Sequence, residues 1–212
     1  VNGVDDDDNG SAAALADALT EALAAGGSSE RLQAALAAGT RPEAAYLEPL
    51  VARCAIEPDF YVRDMLTWAL MRLPGELVLP RIIAELDAGA PQARSQALHT
   101  LSKLRDERAW PAITASHLHD PDDEVARAAW RTAAGLVPEE QRSRLAEELT
   151  AELGRGGLEV MRSLSRAFVE LGETATPALE AAATGEGIAA RHAGATLRLL
   201  EDPGSTFFLD PA

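Results

Sequence analysis

Two pairs of arginines, Arg127 with Arg131 and Arg162 with Arg166, are each spaced by four residues, and Arg191 lies further along the chain. A spacing of four puts both side chains of a pair on one helix face. Guanidinium forks so placed suit carboxylate and phosphate groups, which they bind through paired hydrogen bonds. Like charges one turn apart are mildly unfavourable, so acidic neighbours or an anionic partner must compensate. Upstream, Asp64 and Trp68 share the same spacing, and His99 and Trp130 fall in comparable positions. A strip of arginines with Trp and His beside it suits recognition of a partner. Within it, Asp64 and His99 are the two candidates for acid–base work.

Other chemistry is sparse. His117, His119, Asp120, Asp122 and Asp123 stand in HLHDPDD, a grouping that could ligate a metal. The DPDD part also reads as an ordinary turn before a helix, so no metal is expected. Cys54 has no His or Asn set around it and reads as packing. A phosphate loop, a dinucleotide fingerprint and a nucleophile elbow are all missing, so neither a cofactor nor a catalytic residue is assigned.

Elements that would position these residues follow from composition. Among 212 residues, 43 are Ala and 29 are Leu, against nine aromatics. Such a mix favours helix over strand. Lys and Arg number 19 against 34 Asp and Glu, a net charge of −15, which opposes nucleic acid or an anionic membrane as partner. With one cysteine, an acidic start and no long apolar run, the expectation is a soluble cytoplasmic protein.

The decisive pattern is a repeat. Leu70, Leu101, Ala133, Phe168 and Leu197 recur at intervals of 31, 32, 35 and 29 residues. Positions eight before, four before and three after each of them are apolar in all five copies, the stripe of an amphipathic helix. A weaker copy lies around Leu32 and Leu36, with Gly39 where Leu is expected. Between the stripes lie second helical segments at 44–56, 76–88, 107–118, 138–153 and 174–184, joined by Asp-, Pro- and Gly-rich turns. Neither helix of a unit can bury its stripe alone, but stacked neighbours can.

The stretches EPDFYVRDMLTWALMRL and DPDDEVARAAWRTAAGL resemble the HEAT repeat, and their Val-Arg, Ala-rich second helix is similar to the bacterial phycobilin-lyase-like group. The resemblance implies an all-α fold: a right-handed α-solenoid of about six helical hairpins, roughly 11–40, 41–74, 75–105, 106–137, 138–172 and 173–203. Residues 1–10 then read as a disordered acidic tail, and 204–212, with Phe207, Phe208 and Leu209, as a C-terminal tail. The resemblance also implies that second helices line a concave groove. Asp64, Trp68, His99, Arg127, Trp130, Arg131, Arg162, Arg166 and Arg191 would line it. A competing expectation pairs Arg63, Arg94, Arg127, Arg162 and Arg191 with turn aspartates as a structural ladder. The function expected is a non-enzymatic scaffold binding an acidic peptide or protein segment. An anionic small-molecule binder or lyase-like enzyme using the same groove is the alternative, and a HEAT-like DNA glycosylase a remote one.

Overall fold

The computed structural model describes residues 5–202, 204 and 206–209, and among them there is no strand. The chain forms two compact units, Val1–Leu104 and Arg105–Ala212. The first holds α1 (Asp5–Leu23), α2 (Ser28–Thr40), α3 (Leu47–Cys54), α4 (Phe60–Met71), α5 (Gly75–Ala84) and α6 (Pro91–Leu104). The second holds α7 (Ala115–Leu118), α8 (Asp123–Leu136), α9 (Arg142–Leu149), α10 (Leu158–Leu171), α11 (Thr176–Ala183) and α12 (Gly187–Glu201). Within each unit the helices pair as hairpins, and the second helices pack in succession: α2 on α4 and α4 on α6, then α8 on α10 and α10 on α12. This is the stacked-hairpin arrangement of an α-solenoid.

The apolar stripe becomes the core. Val62, Leu66, Leu70, Leu101, Val125, Ala129, Ala133, Leu164 and Phe168 are all buried. In α12, Ala189, Leu197 and Leu200 are only half-buried. Helix starts follow turn chemistry. Asp59 accepts hydrogen bonds from the backbone N–H groups of Tyr61 and Val62, and Asp122 does the same for Glu124 and Val125. After α1, the first helices of the hairpins are short and run on into 3-10 turns such as 85–87 and 150–152. Pro80 stands inside α5 and Pro111 inside the 3-10 segment Glu107–Ala112, where each removes a backbone donor.

Two expectations are corrected. Helix α1 begins at Asp5 and takes in residues 5–10, which the sequence reads as a disordered tail; residues 1–4 lie outside the described residues. Gly39 is not a degenerate Leu position. A Cβ there would lie 2.2 Å from the Trp68 ring, so the glycine makes room for the indole. Gly39→Ala is expected to destabilise the wild type by about 1–3 kcal/mol through this overlap. In a Trp68→Leu background the same change should become neutral or stabilising, because Ala is the better helix former by about 1 kcal/mol. Thermal melts of the four proteins check the reversal of sign.

Candidate functional site

In the second unit, α8 and α10 pack side by side and carry four arginines. Two of them are tied locally. Arg127 donates through Nη1 to Glu124 Oε1 at 2.6 Å and through Nε to Ser163 Oγ at 2.9 Å. Arg162 donates to Glu159 Oε1 at 2.6 Å. Both partners stand three residues earlier on the same helix, so they neutralise charge without leaving the surface. Arg131 and Arg166, one turn further on, are exposed, and among the described residues neither has an ion pair or a side-chain hydrogen bond. Partial desolvation first, then the charges of Arg127 and Arg166, push the Arg131 guanidinium below its ordinary range against the opposing charge of Glu124. It stays a cation beside two others, a condition that a further anion relieves.

Other members of the expected lining lie elsewhere. Trp130 is a correction: it is fully buried, and its indole N–H donates to the Leu118 carbonyl at 2.8 Å. An indole this large is worth more in the core than at a groove edge. Arg191 is half-buried on α12, and its Nε is buried without a hydrogen-bond partner among the described residues. In the first unit, Asp64 is exposed on α4, Trp68 is half-buried against Gly39, and His99 is half-buried on α6.

The ladder of arginine–aspartate pairs is also corrected. Arg63 donates through Nη1 to the carbonyls of Glu57 and Pro58, both at 2.8 Å. Arg94 does the same to Ala88 at 2.9 Å and Gly89 at 3.0 Å. Arg31, at the matching place in α2, donates to Ala25 and Gly26, both at 3.0 Å. These arginines close the carbonyl end of the preceding turn. Asp59 and Asp122 are engaged as helix caps instead.

The strongest electrostatic feature escaped the sequence. Glu57, fully buried, receives Arg31 through Nε and Nη2, both at 2.8 Å, Arg53 Nε at 2.7 Å, and the backbone N–H of Asp59 at 2.9 Å. Burial alone would raise its pKa, but the donors from Arg31, Asp59 and Arg53 outweigh it and hold the carboxyl at about 2. The signal was present in the 32- and 31-residue spacing of Arg31, Arg63 and Arg94, but nothing in spacing says that a glutamate will be enclosed.

Three of the histidines are held by neighbouring groups. His117 Nδ1 accepts from the Thr114 backbone N–H at 3.1 Å. His119 lies between Glu152 Oε1 at 2.6 Å and Glu148 Oε1 at 2.8 Å, in that order the causes that raise its pKa. Among the described residues no group of three or more His, Cys, Asp or Glu is placed to hold a metal ion. His192 sits 3.0 Å from Ser165 Oγ, a spacing that resembles a catalytic pair. Its Nδ1 accepts from the Gly154 N–H at 3.0 Å, so the neutral ring carries its proton on Nε2, facing the Met161 carbonyl at 3.0 Å. Burial lowers its pKa to about 4, against the opposing Met161 hydrogen bond. A protonated Nε2 cannot take the Ser165 proton, so the pair is structural. Cys54 is buried, and burial first, with smaller charge effects, pushes its thiol up to about 12, which makes it a packing residue.

Stacked helical hairpins define a class of repeat fold whose units bury their apolar stripes against their neighbours. Residues 47–135 match the family model described as HEAT repeats. Such repeats serve in general as protein-interaction scaffolds. The match is to HEAT repeats as a whole, not to the phycobilin-lyase-like group. The fold is similar to the crystal structure of an engineered protein, with 18% identity, 89% of this chain and 97% of that chain covered, and a TM-score of 0.48. No curated protein matches the chain. No helix among the described residues is long and apolar enough to cross a membrane.

Proposed function

We propose that the chain is a non-enzymatic scaffold whose second unit docks an acidic protein segment on the face of α8 and α10. The observation that carries this is the pair Arg131 and Arg166, exposed cations with no acidic partner among the described residues, on a chain of charge −15. A chain with 34 carboxylates that leaves two adjacent arginines without an ion pair among the described residues has kept a local positive field. Arg127 and Arg162 flank them with charges already half-satisfied, so an incoming carboxylate meets two free forks and two that can be shared.

A fluorescein-labelled deca-glutamate peptide followed by anisotropy tests this. Arg131→Glu with Arg166→Glu is expected to weaken binding at least about 10-fold, the value of roughly 1.4 kcal/mol. The control is Arg41→Glu with Arg144→Glu, two exposed arginines whose reversal changes net charge equally. Equal loss in both variants, or no loss in the first, overturns the reading. Displacement of the probe by millimolar phosphate alone would favour an anionic small molecule as the natural ligand.

A further inference from the structure

We propose that the surface formed by Arg162 of α10 with His192 and Arg198 of α12 is a recognition site for segments carrying two adjacent aromatic residues, and that Phe207 and Phe208 of this chain are its resident ligand. After α12 ends at Glu201, residues 206–209 have no regular secondary structure and lie against these two helices. The Phe207 ring is half-buried and meets the His192 ring edge-on, with centroids 5.7 Å apart and planes at 84°. The Arg162 guanidinium lies 6.0 Å from the same Phe207 ring. Phe208 is held differently: the Arg198 guanidinium sits 4.4 Å from its centroid, and Arg198 Nη2 donates to the Phe208 carbonyl at 2.9 Å.

Each aromatic therefore has its own seat, and Arg198 reads both a ring and the backbone beside it. Edge-on aromatic pairs and cations over rings are directional but individually weak contacts. Phe208 remains 54% exposed. A simple cap over α12 would need apolar cover over its half-buried Leu197 and Leu200; it would not need a guanidinium placed on both ring and carbonyl. Two separate seats holding a lightly anchored segment make an exchangeable contact, open to a partner segment of the same chemistry. This goes beyond the acidic-segment reading, because Arg131 and Arg166 take no part in it.

The test uses the full chain with Phe207→Ala and Phe208→Ala, which vacates the seats, and a labelled synthetic peptide of sequence GSTFFLDPA, read by anisotropy. The peptide is expected to bind the variant and to bind wild type at least about 10-fold more weakly, because the tethered segment competes at an effective concentration in the millimolar range. Adding Arg198→Ala should abolish binding, while adding Arg131→Glu and Arg166→Glu should leave it unchanged, so that failure here and failure of the acidic-segment reading are told apart. Equal binding to wild type and variant, or no binding up to millimolar peptide by a variant with wild-type circular dichroism and melting, overturns the proposal. A variant that fails to fold also overturns it, since the segment would then belong to the core.

Discussion

Glu57→Gln is expected to lower stability by about 3–5 kcal/mol, the cost of leaving buried charges without their partner. The substitution keeps shape and volume, so the loss isolates charge. An amide can accept from one arginine, but its NH₂ end faces the donors that remain, and Arg31 and Arg53 then stay buried among each other's charges. For a chain of this length that amounts to a melting temperature lower by roughly 10 °C or more. The pH dependence has a defined sign. The folded-state pKa of Glu57 lies at about 2, below the ordinary 4.5, so its contribution is complete above pH 4.5 and is lost as pH falls through about 2. The wild type should therefore lose stability over that acid window more steeply than the glutamine variant. Calorimetry or denaturant melts at pH 7 and pH 3 measure both effects; a loss below about 1 kcal/mol at pH 7 would show that the cluster is a surface-like pair of little worth.

Trp130→Ala is expected to cost about 3–5 kcal/mol, the range for deleting a buried aromatic. Trp130 heads the fully buried side chains by size, and the change opens a cavity beneath the Arg155 guanidinium, which lies 5.8 Å from its ring. It also removes the donor to the Leu118 carbonyl, leaving a buried acceptor unpaired. Trp130→Phe keeps most of the volume and loses only the donor, so its cost should be clearly smaller. Urea melts rank the three proteins. The deca-glutamate probe supplies the second arm: at temperatures where the alanine variant is folded, its affinity should equal that of wild type. A selective loss of probe binding with unchanged stability would return Trp130 to the docking surface.

Much of the arginine face was legible because it depends on local geometry alone. Four-residue spacing places Arg127 with Arg131 and Arg162 with Arg166 on common helix faces, whatever the rest of the chain does. What each arginine meets is another matter. Arg127 and Arg162 have a glutamate three residues earlier, a short-range fact readable in advance. Arg63 and Arg94 reach backbone carbonyls, which sequence spacing does not advertise, because every residue offers one. Trp130 shows the limit of reading helix faces: it stands next to the exposed Arg131, yet its indole is fully buried and bonded to the Leu118 carbonyl. Gly39 and Trp68 make the same point in reverse, since 29 residues separate a missing side chain from the one that occupies its place.

The sequence by itself determined the all-α fold, the hairpin repeat, the Asp-, Pro- and Gly-rich turns between helices and the clustering of arginines. Those features arise from periodicity and turn chemistry acting over a few residues. Tertiary structure alone decided that Glu57 is an enclosed anion, that His192 is a neutral structural ring rather than a base for Ser165, that Trp130 is core, and that Phe207 and Phe208 lie on α10 and α12. Each of those outcomes depends on desolvation and on partners drawn from other helices. Neither quantity exists until the hairpins stack.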